Sequence, residues 1–182
     1  GYRSLQTGKW WEGSPRRGGF TAGMTEGDFT RDGRHGDAGL TIGRRGMTVI
    51  DEFIGESKTA DAPFYLWYAP FMPHTPHTPP PRLLKKYLAK VDSKPIAKYW
   101  AMCEWLDITV GQLLDGVEER GLTENTLVVF VTDNGWIQNP DVPNRYVEGS
   151  KQAPQDMGIR TPIIYKWPGK IKPKMDKTNL TS

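Results

Sequence analysis

The sequence predicts an α/β domain with a mostly parallel sheet sandwiched by helices. Two apolar runs, residues 64–69 and 127–131, are aromatic or β-branched and bounded by Pro or Gly, so each reads as a short buried strand. Between them, apolar residues recur at three- and four-residue steps over about residues 96–120, the signature of an amphipathic helix. A strand, a helical crossover and a second strand lead to parallel pairing.

The elements follow in order. Residues 1–45 are rich in Gly, Arg and Asp, lack apolar periodicity and read as long loops. Residues 47–54 fit a short amphipathic helix. After the strand at 64–69 comes a Pro/His loop, and a triple proline then starts a brief helix over 82–88. The helix at 96–120 presents Met102, Trp105, Ile108 or Thr109, Leu113 and Val117 on one face, with Gly121 suited to the position just past its end. The strand at 127–131 follows, and a last strand at 162–167 precedes the Pro168-Gly169 turn.

Composition narrows the classes further. A length of 182 residues suits one domain. The net charge of +3 comes from Lys and Arg scattered among Asp and Glu, with no basic stripe to argue for nucleic acid. One cysteine excludes an internal disulfide framework. No apolar run approaches the roughly 20 residues that span a bilayer, and no secretory signal is visible. The chain begins at Gly1 and stops at Thr181-Ser182 without a closing element, so it is expected to be incomplete at both ends.

The chemistry-bearing residues lie just past strand ends, where open α/β sheets place their ligands. Pro73-His74-Thr75-Pro76-His77-Thr78-Pro79-Pro80 follows the first run, and Thr132-Asp133-Asn134-Gly135 follows the second. Asp133 and Asn134 are hard oxygen donors for Ca²⁺ or Mg²⁺, with Gly135 letting the backbone turn tightly around an ion. The same residues also make an Asx turn. The prolines make a rigid extended loop that could hold His74, and a solvated loop is the alternative. Lys151, in Gly149-Ser150-Lys151-Gln152, and Lys9, in Gly8-Lys9-Trp10-Trp11, are point charges suited to sulfate or phosphate oxygens. A solvent-facing lysine is the plainer reading of each.

The order of these segments resembles the type I, formylglycine-dependent sulfatases of the alkaline phosphatase-like superfamily. Gly-Lys-Trp is followed by Pro-His-Thr-Pro, by a Glu-Trp-Leu-Asp helix and by Thr-Asp-Asn-Gly. Lys151, Gly-Ile-Arg-Thr-Pro and Trp-Pro-Gly-Lys-Ile complete the series, and the similarity runs from Gly8 to about Lys172. The resemblance implies a hydrolase cleaving a sulfate ester to alcohol and sulfate. It makes Asp133 and Asn134 half of a metal site, normally Ca²⁺ and less often Mg²⁺. Lys9 would contact the catalytic aldehyde hydrate. His74, rather than His77, would bind the sulfate near the leaving oxygen, and Lys151 would touch the sulfate. Arg160 matches a family arginine, although Asp156 and Met157 replace the two residues that open its segment. A small-molecule or saccharide sulfate ester is the implied substrate, and a periplasmic or secreted location the implied compartment.

Two departures stand out. The family nucleophile is a formylglycine made from Cys/Ser-x-Pro-x-Arg, and no such motif occurs here. Cys103 lies inside the long helix and reads as a core thiol; Ser93-Lys94-Pro95 imitates the pattern without its arginine, and Ser14-Pro15 fails at once. The expectation is therefore that residues 1–182 are part of one sulfatase catalytic domain, with the nucleophile-bearing part upstream and a C-terminal subdomain beyond. The isolated piece is then expected to be inactive. Trp11 stands where many relatives carry a histidine, and an indole N–H only donates. His35 is the remaining histidine and is weighed as a substrate-binding residue against a structural one. Two rival functions are a phosphate or phosphonate ester hydrolase of the same superfamily and a non-catalytic degenerate relative.

Overall fold

The structure is a computed structural model that describes residues 1–10, 13–25 and 38–177. Its first sheet has three parallel strands in the order β2-β1-β3, formed by β1 (Arg3–Gly8), β2 (Ala22–Gly23) and β3 (Phe64–Ala69). β1 is central, pairing Leu5 with Ala22 on one side and all its residues from Arg3 to Gly8 with β3 on the other. This corrects the reading of residues 1–45 as loops at residues 3–8 and 22–23, while part of that stretch lies outside the described residues. β1 carries little apolar signal because Ser4, Gln6 and Thr7 are buried there with their polar groups satisfied. Ser4 and Thr21 exchange hydrogen bonds through both hydroxyls, Gln6 Nε2 donates to the Gly8 carbonyl at 3.0 Å, and Thr7 Oγ1 donates to the Trp67 carbonyl at 2.9 Å. A polar side chain so paired tolerates burial.

Helix α1 (Thr48–Thr59) extends beyond the expected 47–54, its buried residues Ile50, Phe53, Ile54 and Ser57 keeping helical spacing past Gly55. Ser57 satisfies its buried hydroxyl by donating to the Phe53 carbonyl one turn back, at 2.7 Å. With Leu5, Ile42, Met47 and Val117, the apolar residues of α1 form the core against β1. Helix α2 (Pro81–Leu88) starts on a proline, and α3 (Lys94–Glu119) is capped by the Ser93 hydroxyl, which accepts from the Ile96 N–H. On α3 the fully covered positions are mostly small, Ala97, Ala101, Thr109 and Gly116 beside Met102 and Val117, whereas Trp105, Ile108 and Leu113 are half-buried. Close approach of the helix favours small residues. The Tyr68 hydroxyl of β3 donates to Thr109 at 2.7 Å and ties sheet to helix.

Strands β4 (Val128–Val131) and β5 (Ile163–Lys166) form a separate antiparallel pair, with the short helix α4 (Asp156–Ile159) just before β5. They are not the buried strands the apolar run predicts. Val129 and Val131 are 51% and 58% exposed, and every residue of β5 is exposed, because among the described residues nothing covers that face. On β3, too, the side chains alternate, Tyr65 and Trp67 facing out. No described helix is long and apolar enough to cross a membrane.

Candidate active site

Three strand ends converge on the site. Gly8 closes β1 in a left-handed conformation (φ 79°), and a Cβ there would lie 1.8 Å from the Ala69 carbonyl oxygen. Only glycine fits so close an approach, and it lets the Lys9 N–H donate to that same carbonyl at 2.8 Å. Lys9 thus leaves the sheet beside the start of the Pro/His loop.

The loop after β3 runs through cis peptide bonds at Met72-Pro73 and Thr75-Pro76. It places its two histidines in different surroundings. His77 is buried among Tyr99 and Trp136, at ring-centroid distances of 5.5 and 5.9 Å, and its backbone N–H donates to Asn144 Oδ1. The Pro73 carbonyl lies near the ring, yet neither ring nitrogen reaches a partner in hydrogen-bond geometry. Burial, with the charge of His74 adding to it, pulls His77 down to about 4. His77 is a neutral packing residue. His74 instead stacks on Phe71 at 4.5 Å. Its Nδ1 lies 2.8 Å from the Thr75 carbonyl, which only an N–H can satisfy, so Nε2 carries the lone pair. That lone pair faces Lys151 Nζ at 3.4 Å.

Past β4, Asp133 Oδ2 lies 3.6 Å from Lys9 Nζ, with Lys9 mostly buried and Asp133 65% exposed. Burial draws the Lys9 ammonium below its ordinary value; Asp133 opposes this, and the charge of Lys151 adds to it. Two ammonium groups close enough to feel each other, beside an imidazole, make a pocket suited to an oxyanion. Lys151 also sits 5.5 Å over the Trp136 ring.

Asn134 Nδ2 donates to the Gly135 carbonyl at 2.8 Å, leaving its amide oxygen as the donor it can offer beside the Asp133 carboxylate. The two are hard oxygen donors of the kind calcium takes, and they supply part of a sphere that needs about 6–8 oxygens. Among the described residues no group of three or more His, Cys, Asp or Glu comes together to complete one. Gly135 is needed for a different reason from the expected tight turn. Its backbone φ is not positive; rather, a Cβ would lie 1.9 Å from the Met157 carbonyl oxygen, and its N–H donates to the Gly158 carbonyl at 2.8 Å.

Lys9, His74, Lys151, Asp133 and Asn134 are therefore neighbours in one place. Trp11 and His35 lie outside the described residues. Arg160 pairs with Asp156, at 3.7 Å on the surface. Cys103 is half-buried, and burial raises its thiol, which fits a packing role. Arg44, whose guanidinium donates to the Phe71 carbonyl, and Phe71 itself carry no signal in the sequence, since neither belongs to a motif.

A family model for sulfatases matches residues 1–182. A sulfatase of Formosa agariphila is 36% identical over 69% of this chain and 25% of its own length. Human arylsulfatase A is 28% identical over 71% of this chain and 25% of its own. Among solved structures, Ps i-CgsB superposes with a TM-score of 0.71 at 21% identity, covering 92% of this chain and 45% of that one. It has also been solved in complex with k-i-k-neocarrahexaose. This chain thus spans about a quarter of the length of these curated relatives. Over the length that it does span, the chain belongs to the sulfatase family.

Proposed function

We propose that this chain supplies the sulfate-binding residues, and half of the metal-binding residues, of a sulfuric ester hydrolase. The observation that carries the reading is the convergence of Lys9, His74 and Lys151 beside Asp133 at three strand ends. We further propose that residues 1–182 are part of one catalytic domain, the nucleophile-bearing segment lying upstream. Sulfatases generally use a metal ion and a formylglycine, which respectively polarise the sulfate oxygens and supply the attacking oxygen. Asp133 and Asn134 would hold the metal, with Ca²⁺ fitting their oxygen donors better than Mg²⁺, which prefers to keep its waters.

The chain's own residues do the rest. Lys9 and Lys151 place two positive charges where sulfate oxygens gain negative charge, in a site partly shielded from water. The depressed Lys9 ammonium is easier to desolvate against an anion than an ordinary surface lysine. His74 has Nδ1 engaged by the Thr75 carbonyl, so Nε2 is the atom that takes and gives a proton. Protonated through Nε2, it would deliver that proton to the bridging oxygen as the alcohol departs. The substrate class is a sulfated saccharide or small alcohol, supported by the sugar-directed names among the relatives, such as the N-acetylgalactosamine-6-O-sulfatase of Bacteroides thetaiotaomicron.

The test uses the full-length protein with aryl sulfate and aryl phosphate esters of matched leaving groups. Faster turnover of sulfate is expected, and a reversed preference would overturn the reading. His74→Ala is expected to cut kcat by roughly 10²–10⁴-fold on poor leaving groups and far less on activated ones. Equal loss on both would remove the acid role from His74.

A further inference from the structure

We propose that Arg44 is a positioning residue that sets the direction of the His74 imidazole by gripping the backbone on both sides of it. The inference rests on the proton-transfer reading of His74. Arg44 stands in the turn before α1, remote in sequence from every motif, yet its guanidinium reaches the Pro/His loop. Nε and Nη2 donate to the Phe71 carbonyl at 3.2 and 2.8 Å, Nη1 donates to Thr78 Oγ1 at 3.0 Å, and Nη2 approaches the His74 carbonyl at 3.4 Å. These partners bracket His74, three residues before it and four after.

The grip is transmitted through Phe71. Its backbone is held by the Arg44 fork, and its ring is the surface on which the imidazole stacks, at 4.5 Å with 23° between planes. Arg44 Cζ lies 5.7 Å from the centre of that ring and 5.8 Å from the Trp105 ring, so the cation is wedged between two aromatics. Lys9 Nζ also lies over Phe71, at 5.8 Å. One phenyl ring thereby contacts the imidazole, the ammonium of Lys9 and the guanidinium that anchors it. Burial lowers the Arg44 guanidinium without removing its charge, and the cation is set among backbone acceptors and ring faces. Among the described residues its hydrogen bonds go to Phe71, Thr78 and the His74 backbone, so it acts on the imidazole through the loop that carries it. A lysine would keep the charge but could not reproduce a planar fork spanning Phe71 and Thr78.

The experiment is a double-mutant cycle in the full-length enzyme, assayed on sulfate esters with poor and with activated leaving groups. Arg44→Met is expected to lower kcat roughly 10²-fold on poor leaving groups, with KM little changed, because small misplacement of a proton donor is costly. Arg44→Lys should fall between, and it carries the test alone if Arg44→Met does not fold. In the His74→Ala background either Arg44 change should cost almost nothing more. Equal losses in both backgrounds, or losses blind to the leaving group, would overturn the proposal and make Arg44 a general brace. If His74→Ala is impaired and the Arg44 variants are not, this proposal falls while the site reading stands. If His74→Ala itself is unimpaired, both fall.

Discussion

Strands β1 and β4 invert the usual relation between sequence and burial. β1 reads Arg-Ser-Leu-Gln-Thr-Gly and is buried from Ser4 to Gly8, whereas β4 reads Val-Val-Phe-Val and exposes alternate valines. The difference is one of neighbours. β1 has a parallel partner on each edge and a hydrogen-bond acceptor or donor for its buried polar side chains. Among the described residues β4 has one antiparallel partner, itself exposed. Among the described residues, then, the strand with a partner on each edge is the buried one, whatever its hydropathy. Both strands lead to a candidate-site residue, Lys9 after one and Asp133 after the other, so a covered and a more open strand contribute to the same place.

The sharpest way to break the contrast is at the end of β1. Gly8→Ala should destabilise the full-length protein by about 3 kcal/mol or more, since it adds both a positive-φ strain and a backbone collision. Denaturant unfolding would measure it, and a change under 1 kcal/mol would show that the Gly8–Ala69 contact relaxes freely. Next comes acidity, acting where the β3 loop meets the residues after β4. His77 is neutral when folded, with its value lowered to about 4, while the unfolded chain regains the ordinary 6.5. Between those values the unfolded state binds more protons, so stability falls as pH drops from about 6.5 towards 4. His77→Phe should flatten that slope in thermal melts across the window; an unchanged slope would clear His77 of any part in it.

A smaller effect is expected at Gln6→Leu, about 1–3 kcal/mol, because Gln6 Oε1 accepts from the Thr25 N–H and Nε2 serves the Gly8 carbonyl. Gain of stability there would mean that hydropathy matters in β1 after all. Least of all should come from Val131→Thr on the exposed face of β4, within about 0.5 kcal/mol. A larger loss would reveal that something covers β4 in the full-length protein.

Helices α1, α2 and α3 and strand β3 were legible because periodicity and Pro or Gly punctuation are local signals, whereas the one-turn α4 was not read. α3 was readable from about residue 96 to its end, with Gly121 beyond it, while its cap at Ser93 came only with the structure. β1 was unreadable for the opposite reason: its burial depends on hydroxyl and amide partners at Thr21, Thr25 and Trp67, which are distant in sequence. The candidate site was legible through motif order, which placed Lys9, His74, Lys151, Asp133 and Asn134 in one expected centre. Arg44 was invisible because its partners are mainly backbone carbonyls and ring faces, and those leave no residue signature.

The hydrogen bond from the Gly135 N–H to the Gly158 carbonyl has a consequence for how such a protein can diversify. It joins the two ends of the excursion 136–157, which carries Trp136, Asn144, Tyr146 and Lys151. A segment closed at its base is a cassette. Lengthening its interior costs little, since closure entropy grows only slowly with loop length. The two clasping glycines can stay fixed while the aromatic and polar contents are exchanged, letting the rim of the pocket change without disturbing Asp133 at its root.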